Sequence, residues 1–299
     1  MYAKLDDFLS PEQIVLNADM RKYTTFQIGG PADILVMPRT IDEVLNALEF
    51  CREKSIPYFL LGQGSNILVR DKGIRGMVIK LGNCLKQLEI SGSDILAQAG
   101  VSLSDLAWKA AKHGLSGLEF AEGIPGTLGG AVVMNAGAYG GEMQDIIYEV
   151  TAIDSEGHFR TFKREELEFG YRSSIFQKEF YIVLAARLHL QPGKPEEITA
   201  TMTEYSRRRS EKQPLEYPSA GSTFKRPEGF FVGPIIEELG LKGFSVGGAQ
   251  VSGKHAGFII NKGQAVAEDV IQLIRHLQEE IKEKHGVDLI PEIKIVGEE

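Results

Sequence analysis

The chain has 299 residues, 43% hydrophobic and 25% charged, which is the composition of a folded globular protein rather than a disordered or fibrous one. Its 41 acidic residues exceed its 33 Lys and Arg residues and give a formal net charge of −8, so nucleic acid is an unfavourable partner. It has two cysteines, no metal-ligand spacing of His and Cys, no signal-peptide pattern and no apolar run of about 20 residues, so we expect a cytoplasmic protein without a metal site or a membrane span.

The first part of the chain is predicted to form a small α/β unit. Thr40–Glu43 has the sequence of a capping box, and the apolar residues after it recur at helical spacing, which predicts a helix over residues 41–54. Strands are predicted over residues 58–61, 67–69 and 77–81. The first of these strands leads directly into the loop Gly62–Asn66.

The middle of the chain reads as α+β with a substantial sheet. A hairpin is predicted over residues 86–90 and 94–99, and a helix with Leu103 on its apolar face is predicted to end at Gly114. Further strands are predicted over residues 146–153, 158–162 and 181–190. Gln191–Pro195, which contains two prolines and a glycine, is the clearest candidate for a linker.

After this segment, residues 196–212 are predicted to be helical and carry the basic run Arg207–Arg209. A last long helix has Val270 and Ile281 on one face and Gly286 just past its end. Two strands are predicted at the end of the chain, over residues 287–290 and 293–296 on either side of Pro291.

Glycine is in excess, with 33 residues, about twelve more than ordinary usage would give. Nine glycines lie between Gly114 and Gly141, and ten lie between Gly221 and Gly263. Gly62–Asn66 can form an anion-binding nest of backbone N–H groups, or simply a tight turn. The second cluster can hold a flat or charged ligand against bare backbone, or form a close crossing of small residues between packed elements.

Several of these motifs match one family in order. Gly62–Asn66, Gly123–Gly130 and Asn135–Gly140 resemble the FAD-binding loops of the UDP-N-acetylenolpyruvoylglucosamine reductase (MurB) family, and Thr24–Asp33 resembles its N-terminal signature. The resemblance extends from about residue 17 to residue 296. It implies an α+β protein with the vanillyl-alcohol-oxidase/PCMH-type FAD-binding fold, which has two α/β subdomains, followed by a C-terminal α+β substrate-binding domain. The expected boundaries are 1–83 and 84–193 for the two FAD-binding subdomains and 194–299 for the substrate-binding domain.

The resemblance also implies the cofactor and the co-substrate. FAD is expected to bind non-covalently, because the loop around Ser65 contains no histidine to which the flavin could be attached. NADPH is expected as the reductant, and no separate dinucleotide fingerprint is present for it. The residues that match the family's FAD-binding loops are Gly62, Gln63, Gly64, Ser65, Asn66, Ile67, Gly123, Ile124, Pro125, Gly126, Thr127, Gly129, Gly130, Asn135, Gly137 and Ala138.

Three residues match the family's catalytic positions. Arg172 can hold a carboxylate on which negative charge develops, Ser222 matches the residue that protonates the substrate carbon, and Glu292 can assist that proton transfer. Without the resemblance, each has an ordinary interpretation. Arg172 would be taken for half of a surface ion pair, Ser222 for a turn residue and Glu292 for a solvated strand-end carboxylate.

The implied reaction is the NADPH-dependent reduction of UDP-N-acetyl-3-O-(1-carboxyvinyl)-glucosamine to UDP-N-acetylmuramate, a step of peptidoglycan precursor synthesis. Tyr139, Lys212 and Arg226 are the expected substrate contacts. The chain resembles the shorter subclass, which lacks an inserted tyrosine-bearing loop, and we expect a monomer or a weak homo-oligomer. Another FAD-dependent oxidase of the same fold and a non-catalytic UDP-sugar-binding module remain alternatives.

Overall fold

The computed structural model describes residues 4–299, apart from the side chain of Asn83. The chain divides into two compact units, each assembled from several segments. Unit 1 contains residues 1–15, 35–63 and 77–209, and unit 2 contains residues 16–34, 64–76 and 210–299. The predicted division into 1–83, 84–193 and 194–299 remains a prediction.

Helices and strands are both abundant, as the sequence predicts. The helices are α1 Ile41–Glu53, α2 Leu103–Lys112, α3 Leu128–Met134, α4 Pro195–Lys212, α5 Val232–Glu238 and α6 Ala267–His285. The first ten strands are β1 Ile14–Asp19, β2 Pro31–Val36, β3 Tyr58–Leu61, β4 Ile67–Val69, β5 Ile74–Lys80, β6 Leu88–Ser91, β7 Asp94–Gln98, β8 Leu115–Ser116, β9 Gly137–Ala138 and β10 Gly141–Glu142. The remaining strands are β11 Ile147–Ile153, β12 Phe159–Lys163, β13 Ile182–His189, β14 Gln191–Pro192, β15 Ser219–Ser222, β16 Ser245–Val246, β17 Ala249–Val251, β18 Phe258–Asn261 and β19 Lys294–Val296.

The predicted helix over 41–54 is confirmed, with a difference at its first turn. The Thr40 hydroxyl accepts a hydrogen bond from the Glu43 N–H at 3.1 Å, as a capping box requires. In a complete capping box the Glu43 carboxylate would accept from the N–H of Thr40. Here it accepts instead from the Arg39 N–H, at 2.6 Å. It also accepts from the Gln13 side chain at 2.6 Å, which fastens the start of α1 to the segment before β1.

The main sheet of unit 1 has the strand order β12-β11-β13-β7-β6, and its neighbouring strands are antiparallel. The helix α3 packs on β13 and β7. Gly129 makes this close approach possible, because a Cβ at that position would lie 2.9 Å from the Cβ of Ala99. Part of the glycine excess in this region therefore serves a small-residue crossing, one of the two interpretations that the sequence left open.

In unit 2, the antiparallel sheet β15-β18-β17-β16 packs against α6, and β19 pairs in parallel with β4. The start of α6 is capped by Asp71, whose carboxylate accepts from the Ala267 N–H at 2.7 Å and the Glu268 N–H at 3.0 Å. The helix ends at Gly286 in the left-handed conformation, as its sequence position predicts. The buried core of the unit includes Val270, Ile274 and Leu277 of the helix, together with Val251 and Ile259 of the sheet.

The structure differs from two predictions. Gln191–Pro195 is not a free linker, because Gln191–Pro192 pairs with β8 and the Gly193 N–H donates to the Gly114 carbonyl at 2.7 Å. Within the described residues, 287–290 form no strand. Pro291 makes only an isolated bridge to Phe224, since proline has no N–H with which to extend a ladder.

Both cysteines are buried, and burial raises the pKa of each thiol to about 11. The thiolate is the reactive form, so native protein at pH 8 should react with a thiol reagent about a hundredfold more slowly than unfolded protein. The measurement is the labelling rate with and without denaturant, with both thiols reacting once the chain is unfolded. Rapid labelling of either thiol in the native state would show that it is not protected by burial.

Candidate active site

In unit 1, the glycine-rich segment runs from Gly123 into the first turn of α3. The Thr127 hydroxyl accepts from the Gly130 N–H at 3.4 Å and caps the helix. The Gly126 carbonyl accepts from the Leu103 N–H at 3.1 Å, which fixes the loop to the start of α2. Gly62 lies beside this loop, because a Cβ at Gly62 would come within 3.1 Å of the Thr127 hydroxyl. Two predicted cofactor loops thus meet within this unit.

The next predicted residues of unit 1 are organised by Asn135, which is fully buried. Its side-chain N–H groups donate to the Gly170 carbonyl at 3.0 Å and to the Glu142 carboxylate at 3.1 Å. Its side-chain oxygen accepts from the Gln144 N–H at 2.9 Å. The Asn135 amide therefore holds the 135–142 loop and the turn at Gly170 together.

Arg172 lies in that turn, where the Gly170 and Ser173 N–H groups each donate to the carbonyl of the other at 3.1 Å. Its φ of +52° is an unusual left-handed conformation for a residue with a side chain. The Arg172 guanidinium donates to the Gly137 carbonyl at 2.8 Å, which fixes its position over the predicted flavin loop. A strained backbone conformation that is retained by such contacts is typical of a functional site.

A second cluster of unit 1 contains Tyr139, Tyr205 and Arg209. The two tyrosine rings are stacked with their centroids 4.2 Å apart, and the Tyr139 hydroxyl donates to the Tyr205 carbonyl at 3.2 Å. The Arg209 guanidinium carbon lies 5.7 Å from the centroid of the Tyr139 ring. Burial lowers the pKa of Arg209, and the neighbouring Tyr139 hydroxyl and Glu122 carboxylate act in the opposite direction. This cluster adjoins the predicted loop, because a Cβ at Gly123 would lie 2.9 Å from Arg209 Cδ.

The helix α4 places the three arginines of the basic run Arg207–Arg209 in different environments. Hydrogen bonds from Arg207 and then Arg208 lower the pKa of the Glu204 carboxylate to about 2, and both arginines are exposed. Arg209 instead lies on the buried side of α4 with Ile198 and Met202. The sequence predicts only a basic run here and does not distinguish Arg209 from its two neighbours. The signal was present, because residues 198, 202 and 209 fall on one face at helical spacing.

In unit 2, the other half of the Gly62–Asn66 loop is tightly packed. Gly64 has a φ of +70°, and a Cβ there would lie 2.3 Å from the Tyr23 carbonyl oxygen. The Thr25 N–H donates to the Gly64 carbonyl at 3.1 Å. The collision with the Tyr23 backbone makes Gly64 a requirement of the fold.

Unit 2 also brings together three predicted site residues. The Glu292 N–H donates to the Thr223 carbonyl at 2.8 Å, so Glu292 pairs with the residue that follows Ser222. The Asn66 side chain donates to the Glu292 carbonyl at 3.2 Å. Phe224 bridges Pro291, which extends the same pairing of segments 223–225 and 290–292. Ser222 is exposed and Glu292 is half-buried.

Unit 2 also contains several cations, some of them near the paired segments. Burial, and then the positive charge of Lys225, lower the pKa of Lys294. The exposed Arg226 places its guanidinium 3.8 Å from the centroid of the Phe231 ring and donates to the Phe230 carbonyl at 3.3 Å. Lys212 is exposed at the end of α4.

The donors of unit 1 suit FAD. Glycine loops next to a capped helix offer backbone N–H groups, and the Gly130 end of α3 is exposed. The buried Arg209 side chain has unsatisfied N–H groups at Nε and Nη2 among the described residues, so the unit contains a cation that lacks an acceptor. These features fit an anionic, partly aromatic cofactor.

Two protein families match the chain. The FAD binding domain family matches residues 31–163, and the family described as UDP-N-acetylenolpyruvoylglucosamine reductase, C-terminal domain, matches residues 213–296. The fold, the glycine loops and these matches define an FAD-dependent oxidoreductase of the PCMH-type fold, which confirms the predicted fold class.

Curated relatives give the family. A UDP-N-acetylenolpyruvoylglucosamine reductase of Syntrophomonas wolfei is 57% identical over 299 residues, which is 100% of both chains. The enzyme of the same name from Caldanaerobacter subterraneus is 52% identical and covers 99% of this chain and 97% of its own length. The chain belongs to the UDP-N-acetylenolpyruvoylglucosamine reductase family.

Comparison with solved structures supports the same family and the same fold. The MurB structure from Thermus caldophilus has a TM-score of 0.81 and 40% identity, and the alignment covers 94% of this chain and 97% of that one. A grass pollen allergen with glucose dehydrogenase activity has a TM-score of 0.51 at 14% identity over 64% of this chain and 44% of its own. The second likeness shows a shared fold alone.

Substitutions at two glycines of the predicted cofactor loops should affect the fold in opposite ways. Gly64→Ala should destabilise the flavin-free protein by about 2 kcal/mol or more, because the new Cβ meets backbone at a strained φ. Gly130→Ala should leave its stability unchanged or raise it by up to about 1 kcal/mol, because alanine favours the helix and the nearest neighbouring atom is 3.7 Å away. Thermal unfolding of the flavin-free proteins measures both changes. Equal melting temperatures for the two variants would contradict the structural role of Gly64.

Proposed function

We propose that Arg172, Ser222 and Glu292 are the catalytic residues with which this member of the family reduces its substrate. The protein is an FAD-dependent oxidoreductase that converts an enolpyruvyl UDP-sugar to UDP-N-acetylmuramate with NADPH as reductant, a step of peptidoglycan precursor synthesis. The observation that supports the assignment of residues is the hydrogen bond from the Glu292 N–H to the carbonyl of Thr223, the residue that follows Ser222.

When bound, FAD would carry a hydride from NADPH to the substrate. The residues that would hold it are those of the loops Gly62–Ile67, Gly123–Gly130 and Asn135–Ala138. Their backbone N–H groups and bare glycine surfaces permit close approach of a phosphate or a flat ring. We infer non-covalent binding, because the described loop around Ser65 contains no histidine.

Arg172 would bind the substrate carboxylate. Hydride addition to the terminal carbon of an enolpyruvyl ether develops negative charge on the adjacent carbon and its carboxylate, and a permanently charged guanidinium stabilises that charge. The hydrogen bond from Arg172 to the Gly137 carbonyl and its φ of +52° hold the side chain in position before the substrate arrives. Less reorganisation is then needed as the charge develops.

Ser222 would deliver the proton to the carbon next to the carboxylate. A neutral hydroxyl is a weak acid, so the alkoxide that forms needs stabilisation. Lys225 lies in the paired segment three residues after Ser222, and its charge acts on Lys294. Glu292 would assist the transfer or orient a water molecule. The Asn66 side chain fixes the Glu292 backbone and so helps to set the position of its carboxyl group.

Lys212, Arg226 and Tyr139 would contact the UDP-sugar. The two cations are exposed and suit a diphosphate, and Tyr139 offers an aromatic face. The aromatic contact of Arg226 with Phe231 restricts its guanidinium, which lowers the entropy lost on binding.

The setting of this activity is also part of the proposal. The described part of the chain has no helix of sufficient length and apolar character to cross a membrane. We infer a cytoplasmic enzyme that is a monomer or a weak homo-oligomer, with domains 1–83, 84–193 and 194–299. Light scattering of the purified protein at increasing concentration measures the oligomeric state.

Ser222→Ala should separate the two half-reactions. Bleaching of the flavin absorbance by NADPH should proceed as in the wild type, because no proton from Ser222 is needed there. Return of the colour on addition of the enolpyruvyl UDP-sugar should slow by a factor of about 100 or more, the contribution typical of a general acid. Stopped-flow absorbance measures each half-reaction separately.

The control is Ser245→Ala, which removes an exposed hydroxyl from the same sheet. It should leave both half-reactions at the wild-type rate. If Ser222→Ala also reoxidised at the wild-type rate with substrate, Ser222 would not be the proton donor. Fast reoxidation by oxygen with no response to the UDP-sugar would favour an oxidase instead.

A further inference from the structure

Lys80 is a half-buried cation of unit 1 that has no carboxylate partner among the described residues. It is the last residue of β5, and the parallel pairing with β3 sets it opposite Leu61, one residue before the predicted FAD loop begins. Its ammonium donates to the Gly62 carbonyl at 3.0 Å. Burial, and then the positive charge of Lys86, lower the pKa of Lys80, and no negative charge among the described residues acts in the opposite direction. A neutral donor could hold the same carbonyl without the cost of a half-buried charge.

The hydrogen bond from Lys80 fixes the orientation of one peptide group. A trans peptide is planar, and its C=O and N–H point in opposite directions. Because the Gly62 carbonyl faces Lys80, the Gln63 N–H is directed to the opposite side of the peptide, where it has no hydrogen-bond acceptor among residues 4–299. The bare backbone of Gly82 makes room for this arrangement, since a Cβ there would lie 2.9 Å from the Gly62 carbonyl oxygen.

We propose that Lys80 is a positioning residue for the FAD diphosphate: its ammonium orients the Gly62–Gln63 peptide so that the Gln63 N–H donates to a phosphate oxygen, and its charge strengthens that bond. The inference rests on the assignment of the loop Gly62–Ile67 to FAD in the proposed function. Backbone N–H groups of such loops bind phosphate oxygens. A cation that donates to a peptide carbonyl polarises the peptide, which makes its N–H a stronger donor.

The chemistry at this point suits a phosphate group better than the flavin ring. The Gly62 backbone lies beside the Thr127 hydroxyl, so polar groups and bare backbone meet next to an uncompensated positive charge. An anion bound here would supply the negative charge that the described surroundings of Lys80 lack. The FAD diphosphate has the same charge whether the flavin is oxidised or reduced, so Lys80 acts equally on both forms. The diphosphate of the UDP-sugar has the same chemistry, and the KM for that substrate distinguishes the two.

Lys80→Met tests the proposal, with Lys86→Met as the matched control. Methionine keeps an unbranched apolar stem but neither the charge nor the donor. Lys86 is exposed and its charge reaches Lys80, so its loss removes a neighbouring charge and leaves the bond to Gly62 intact. The dissociation constant of oxidised FAD should rise about tenfold or more in Lys80→Met, because a charge-assisted donor is lost, and stay close to wild type in Lys86→Met. Fluorescence titration of the flavin-free proteins with FAD measures both values.

Three further readouts separate this role from a merely structural one. Flavin-free Lys80→Met should melt close to wild type, because loss of the hydrogen bond to Gly62 is offset by loss of a half-buried charge. The midpoint potential of the bound flavin should stay unchanged, because oxidised and reduced FAD lose affinity by the same factor. Lys80→Arg keeps charge and donor and should retain most of the FAD affinity. Lys80→Gln keeps a donor without the charge, should bind FAD with intermediate affinity, and serves if the methionine variant does not fold.

The other outcomes overturn the proposal. Wild-type FAD affinity in Lys80→Gln would show that the charge has no role, and a changed midpoint potential would place the charge at the flavin ring. Unchanged FAD affinity with a raised KM for the UDP-sugar would assign Lys80 to the substrate diphosphate. A loss of FAD affinity that Lys80→Arg shares, with a lower melting temperature of the flavin-free protein, would reduce Lys80 to a structural contact of β5.

Failure of the proposed function gives a different result. A wild-type protein that cannot be reconstituted with FAD would refute the assignment of the loop Gly62–Ile67 to the cofactor. Wild-type protein that binds FAD while every Lys80 variant binds it equally well would refute the role of Lys80 alone.

Discussion

The buried side-chain amide of Asn135 is the constraint on which the candidate site of unit 1 depends. It joins the Gly170 turn, which presents Arg172, to the loop that contains Gly137 and leads to Tyr139. The Arg172 guanidinium returns a hydrogen bond to the Gly137 carbonyl, so the loop and the turn fix each other. A strained arginine backbone persists because these bonds over-determine it.

Backbone rather than side chains forms much of the surface assigned to the cofactor, which explains the distribution of glycine. The structure divides the excess into two kinds. Gly64 and Gly129 are required because backbone or a neighbouring Cβ occupies the space of a side chain, and their role is internal. Gly130 has no such neighbour and lies exposed at a helix start, where its absent side chain leaves room for a ligand. A glycine motif alone does not distinguish the two kinds.

Several local elements could be predicted because their causes are local. Thr40 begins α1 and Gly286 ends α6, since capping and the left-handed conformation depend on residues a few positions apart. The predicted strand over 287–290 is wrong because a strand needs a partner as well as apolar residues, and Pro291 permits only an isolated bridge. The linker interpretation of Gln191–Pro195 is also wrong, because pairing with β8 depends on a distant segment.

The sequence by itself determined the family, the class of cofactor and the order of the glycine loops, because short motifs and their spacing can be recognised without a structure. The tertiary structure decided which segments lie beside each other. It placed Glu292 next to Thr223 through a backbone hydrogen bond, and it buried Arg209 beside Gly123 while leaving Arg207 and Arg208 exposed. The sequence does not distinguish the three consecutive arginines. Only the packing of α4 makes one of them an unsatisfied cation, because burial removes the water that still hydrates the other two.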